Sequence, residues 1–155
     1  MKILLIEDDG FKSESIVNFI ELFYPNAALH LCSSLSEGIE YVNKNIYDYV
    51  LVDMAIPSHP IEPGGGSPLS LLTGGLEIIL ELKFLERKDS CIIITQYPDL
   101  ELCGQLFSLD EAVEELRVQL ECNVLACIEY NEGSEQWKKN YAWCLNEYFN
   151  IRRCP

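Results

Sequence analysis

The chain is predicted to fold as an α/β domain, a doubly wound parallel sheet of five strands in the order 2-1-3-4-5 with helices on both faces. Two observations carry that expectation. Five short apolar runs, Ile3–Ile6, Ala28–Cys32, Tyr49–Ile56, Cys91–Thr95 and Val124–Ile128, do not alternate polar and apolar residues, so both faces of each strand should be covered. Between them lie stretches with helical spacing, which gives a β-α rhythm repeated five times. Right-handed crossovers then distribute the helices over both sides of one sheet.

The helices follow in order. After the first run, Ile16, Phe19, Ile20 and Phe23 form one apolar face that closes at Pro25. Ser34-x-x-Glu37 reads as a capping box, in which hydroxyl and carboxylate satisfy each other's backbone amides, and it opens a short helix through Ile39 and Val42. Leu76, Ile79, Leu80 and Phe84 follow the pair Gly74-Gly75. Ser108-x-x-Glu111 is a second capping box, ahead of Ala112, Val113, Leu116 and Leu120. A long final helix, capped by Ser134, carries Trp137, Tyr141, Leu145, Tyr148 and Phe149.

The 155 residues fit a single domain, 1–155, with inserted loops at about 58–74 and 96–107. The first loop holds four of the nine glycines and the apolar run Leu69-Ser70-Leu71-Leu72. It leaves the third strand just after Asp53, so it is expected to border or cover whatever lies there. Its Gly64-Gly65-Gly66 is no phosphate cradle, because no strand directly precedes it and no GK[ST] follows.

Composition limits the chemistry. A formal net charge of −14 repels phosphate backbones and anionic lipid, which argues against nucleic acid or a membrane as direct partner. Only four apolar residues precede the first acids, too few for a signal-peptide core, and no later run has membrane-spanning length. The seven cysteines are odd in number and form no CxxC pair, and His30 and His59 lie far apart, so a zinc site is not expected. Thiols inside apolar runs fit a reducing compartment, hence the cytoplasm.

In a doubly wound sheet the functional crevice lies beyond the carboxyl ends of the strands. There the sequence places Glu7-Asp8-Asp9 after the first strand, Asp53 after the third and Thr95 after the fourth. Neighbouring carboxylates raise one another's pKa unless a cation neutralises them. Magnesium suits such a set, since it takes oxygen ligands, keeps waters and completes its shell with phosphate oxygens. A carboxylate beside that metal can act as a nucleophile toward a phosphoryl donor.

These residues carry a resemblance. KILLIEDD is similar to the first strand and acidic pocket of response-regulator receiver domains of two-component signalling. YVLVDMAIP resembles their phospho-acceptor strand, GGLEIILEL their third helix, and CIIIT their fourth strand with its switch hydroxyl. The resemblance implies that Glu7, Asp8, Asp53 and the backbone carbonyl of Ala55 hold magnesium. It implies that Asp53 accepts phosphate from a histidine kinase or phosphotransfer protein, and that Thr95 moves toward it on activation.

The match is incomplete. Receivers carry a lysine at the end of the fifth strand, where this chain reads ACIEYNEGSEQW, without a lysine until Lys138. Gln96 follows the switch hydroxyl where the family prefers a small residue, and Pro57 and Gly75 stand 18 positions apart in place of a short turn. Two readings follow: a standalone receiver, phosphorylated on Asp53 and signalling by protein contact to an unknown downstream partner, or a pseudo-receiver interaction module that keeps the fold without taking phosphate. Neither is an enzyme in the ordinary sense. An aspartate-nucleophile phosphatase needs a second acid where Ala55 stands. A nucleotide or flavin binder needs a phosphate loop where EDDGFK stands.

Overall fold

The computed structural model describes residues 1–66, 68 and 70–149. Its strands and helices, in chain order, are β1 (Lys2–Ile6), α1 (Gly10–Phe23), β2 (Ala28–Cys32), α2 (Leu35–Lys44), β3 (Tyr49–Val52), β4 (Ile56–Pro57), β5 (Ser70–Leu71), α3 (Gly74–Phe84), β6 (Ser90–Thr95), β7 (Asp99–Leu102), β8 (Gln105–Ser108), α4 (Leu109–Glu114, continuing as one π-helical stretch through Gln119), β9 (Val124–Glu129) and α5 (Gln136–Phe149). Strands β2-β1-β3-β6-β9 form one parallel sheet, which is the predicted order. Among the described residues no helix is long and apolar enough to cross a membrane.

Two apolar layers explain why the strands read as unbroken hydrophobic runs. One face of the sheet, with Leu4, Ile6, Val50, Val52 and Ile93, packs on residues of α2, α3 and α4. The other, with Ile3, Leu5, Tyr49, Leu51, Ile92 and Ile94, packs on α1 and α5. The helix starts carry the expected caps with one shift. Ser34 Oγ accepts from the Glu37 amide, but the Glu37 carboxylate accepts from the Ser33 amide, one residue before the cap, so that box is completed on one side only. The Glu111 carboxylate accepts from the Ser108 amide and hydroxyl, and Ser134 Oγ accepts from the Gln136 amide.

Three departures are informative. The third strand ends at Val52, and Ile56–Pro57 turns aside to pair with Ser70–Leu71, so the expected run to Ile56 is broken at the acidic pocket. The connection over 96–107 is an ordered hairpin, with β7 and β8 joined through Cys103 (φ 52°) and Gly104 (φ 79°). Two left-handed residues form the turn whose twist suits antiparallel strands. Leu100 and Leu102 of this hairpin are buried in the core, which ties the insertion down. In β9, Leu125 is an extra residue: Val124 pairs with Cys91 and Ala126 with Ile92.

Gly75 is required by close approach. A Cβ there would lie 2.3 Å from the Asp53 carbonyl oxygen and 2.9 Å from Met54 Cα. The Gly75 amide also donates to the Met54 carbonyl at 3.0 Å. The start of α3 is thereby pressed against the segment that carries Asp53. The six described cysteines are unpaired.

Candidate functional site

Parallel pairing of β1 with β3 brings their carboxyl ends side by side, with Ile6 opposite Val52. Within two residues of these ends, one oxygen each from Glu7, Asp8 and Asp53 lie within 4.8 Å of one another. Together with Asp9, Ala55, Ser70, Gln96 and Tyr97 they line a cleft of about 200 Å³. Ser70 belongs to the 58–74 insertion, which therefore borders the acids as expected. Of the apolar run in that loop, Leu71 is half-buried and Leu72 exposed, whereas Leu69 lies outside the described residues.

The acids differ in environment. Glu7 is buried; its Oε1 accepts from the Asp9 amide at 3.0 Å, and Oε2 turns inward. Burial pushes its carboxyl up to about 7, against the pull of a nearby ammonium and with Asp53 adding its own charge. Asp53 is also buried and raised above the ordinary aspartate range by desolvation, which outweighs the same ammonium. Asp8 is exposed yet raised, again mainly by partial burial of its carboxyl. Asp9 has a different task as N-cap of α1, where its Oδ1 accepts from the amides of Phe11 and Lys12.

The ammonium belongs to Lys12, which the sequence motifs do not single out. Its Nζ lies 2.7 Å from Glu7 Oε2 and 3.1 Å from Asp53 Oδ2, donates to the Ile94 carbonyl at 2.9 Å, and is 1% exposed. A signal is nevertheless present: Lys12 precedes Ile16, Phe19 and Ile20 at helical spacing, on the stripe that α1 buries. A lysine on a buried stripe requires a counter-charge. At the end of β9, where receivers carry their lysine, Tyr130 is buried with its ring 5.8 Å from Lys12 Nζ.

A cation fits the site on its own chemistry. Among the described residues, Asp53 Oδ1 is buried without a directed hydrogen-bond donor, and Glu7 Oε2, although paired in charge with Lys12, receives no directed hydrogen bond. One ammonium faces three carboxylates, and unsatisfied buried oxygens of this kind invite a ligand. A water takes about 30 Å³ of liquid, so the cleft has room for a hydrated ion. Thr95, the predicted switch hydroxyl, is fully buried at the end of β6, and its Oγ1 accepts from the Tyr97 amide at 3.2 Å. From that turn it is Gln96 and Tyr97 that line the cleft. Ala55 lines it as well, between Asp53 and β4.

No family model matches the chain. It is similar to the Detocs response regulatory protein DtcB of Vibrio alginolyticus, 30% identical over 142 residues that cover 88% of this chain and 94% of that protein. Among solved structures, it resembles the response regulatory domain of mrkE from Klebsiella pneumoniae, with a TM-score of 0.64, 16% identity, and coverage of 98% of this chain and 100% of the other. It also resembles the response regulator TrrA of Thermotoga maritima in complex with Mg(2+)-BeF, with a TM-score of 0.56, 17% identity, and coverage of 93% and 98% respectively.

Proposed function

The chain belongs to the response-regulator receiver family, and from that premise we propose that it accepts a phosphoryl group on Asp53 with magnesium and signals by protein contact. The observation that carries this reading is the buried Oδ1 of Asp53, without a directed donor among the described residues, beside Glu7 and Asp8, an arrangement that a cation completes. Glu7, Asp8 and Asp53 would hold the ion, with the Ala55 carbonyl beside them. When bound, the metal supplies charge neutralisation for the acids and for the entering phosphate. A magnesium–beryllofluoride complex has been captured on the similar TrrA domain, which supports the same chemistry here.

In the transfer, an Asp53 carboxylate oxygen bonds to phosphorus. The bond from phosphorus to the donor's nitrogen breaks, and the departing imidazole or amine keeps the electron pair. The product is an acyl phosphate. The natural donor is a phosphohistidine on a kinase or phosphotransfer protein, and the unpaired cysteines suit a reducing, cytoplasmic setting. Thr95 serves as the hydroxyl that turns toward the phosphoryl group once it is in place.

A specific observation favours the competing pseudo-receiver reading: Gln96 and Tyr97 occupy the rim of the cleft, where a small residue would leave more room. Labelling with phosphoramidate and magnesium decides between them. Mass spectrometry should show one phosphate on wild type, at Asp53, and none on Asp53→Asn. Asp8→Ala should remove the magnesium dependence. An unlabelled wild type that is also silent to millimolar magnesium, on the order of the concentrations such sites meet, would establish the pseudo-receiver.

A further inference from the structure

We infer that Lys12 is the cation that pairs with the phosphoryl group in this chain, delivered from helix α1 in place of the fifth-strand lysine that the sequence lacks. The inference rests on the Asp53 acceptor reading and deepens it by assigning a group to the developing negative charge. Geometry is the first support. Nζ stands 3.1 Å from Asp53 Oδ2, so phosphate attached to that carboxyl places its oxygens beside the ammonium.

The second support is how the side chain is held. Asp9 caps the first turn of α1 and accepts directly from the Lys12 amide at 3.0 Å, which fixes the lysine's backbone. The Ile94 carbonyl of β6 and the Glu7 carboxylate hold the head group from two sides. An ammonium fixed in advance, away from water, loses little on reorganisation when charge develops beside it. Among the described residues, Lys12 is the one cationic side chain in contact with either buried acid of the site. The third support is the strand end itself. Tyr130 is buried at that position with its ring 5.8 Å from Lys12 Nζ, so the strand end supplies a ring where the ammonium comes from the helix.

The role predicts a transplant. Lys12→Met should slow phosphoramidate labelling of Asp53 roughly a hundredfold, the range for losing one preorganised group that meets transition-state charge. The double variant Lys12→Met/Tyr130→Lys, which returns the ammonium from the strand, should recover at least part of that loss. Lys12→Met should also bind magnesium more tightly, because a positive charge beside the ligands has been removed. A measurement on wild type avoids dependence on any variant's folding. The side-chain ¹⁵N resonance of Lys12 should shift when beryllofluoride is added to the magnesium-saturated protein, and not when fluoride alone is added. A folded Lys12→Met labelled at the wild-type rate, or a Lys12 resonance indifferent to beryllofluoride, overturns the inference while leaving Asp53 as acceptor. An unlabelled wild type overturns the acceptor reading and this inference together.

Discussion

At the amino ends of the strands Arg87 closes on Asp89; at the carboxyl ends Lys12 closes on Glu7 and Asp53. Both clusters are ion pairs taken out of water, yet their hydrogen bonding differs. Arg87 Nε and Nη2 donate to the two oxygens of Asp89, each at 2.7 Å, while Nη1 and Nη2 donate to the carbonyls of Val42 and Asn45. Asp89 Oδ2 also accepts from the Tyr47 amide at 2.6 Å. One cation meets one anion there, and the pair ties the loop before β3 to the start of β6. At the other end, among the described residues, one ammonium serves two buried carboxylates and a third at the rim, and two carboxylate oxygens lack directed donors. A satisfied buried pair is a fastener, and an undersupplied one is a site.

Substitution separates the two. Arg87→Met leaves Asp89, 4% exposed, as a buried anion without its cation. Breaking a buried pair from one side costs about 3–5 kcal/mol, so a large fall in the urea midpoint is expected, with magnesium binding unchanged in whatever protein remains folded. A wild-type midpoint would show that the fastener contributes nothing.

The undersupplied cluster should reveal itself through pH. Folded Glu7 holds its proton up to about pH 7, whereas the unfolded side chain releases it near 4.5. Between those values the folded state binds more protons, so stability is fully present below the lower value and declines as pH rises through the upper. The expected loss is up to about 3 kcal/mol, because each tenfold difference in proton affinity between folded and unfolded chains is worth about 1.4 kcal/mol. It should appear in metal-free buffer and flatten in Glu7→Gln. Magnesium should reduce it too, because a bound cation favours the ionised carboxyl. Equal slopes for wild type and Glu7→Gln would assign the pH dependence to other groups.

A smaller effect is expected beside the second cluster, at Gly75. The added methyl of Gly75→Ala meets the Asp53 carbonyl, and overpacking of this kind costs about 1–3 kcal/mol. The displacement falls on the acceptor segment, so magnesium affinity should weaken along with the melting temperature. A variant that loses stability and keeps its affinity would show that α3 gives way instead of Asp53.

Much of the fold is legible in the sequence because its signals are local. Strands covered on both faces read as apolar runs, and Ser34, Ser108 and Ser134 mark helix starts through their own caps. Glu7, Asp8 and Asp53 can be assembled from strand ends alone, since strand order determines which ends are neighbours. The hairpin over 96–107 is hidden because the first of its two left-handed turn residues is Cys103, which carries no turn signal, so that Gly104 stands as a lone glycine in a long connection. Lys12 is hidden for a different reason. The family pattern puts the charge at one position in the chain, whereas what the site requires is a position in space, which a helix side chain can also fill.

The extra residue in β9 has a consequence for that position. Leu125 and Ala126 both face the α1/α5 layer, after which alternation resumes, with Cys127 on the opposite side and Ile128 and Tyr130 back toward α1. Were the bulge ironed out with every residue retained, each later side chain would change sides. Tyr130 would turn away, and Glu129 would take its place facing Lys12. The bulge thus acts as a phase selector: one supernumerary residue, placed at the start of the strand, decides whether the ammonium at its far end meets an aromatic ring or another acid.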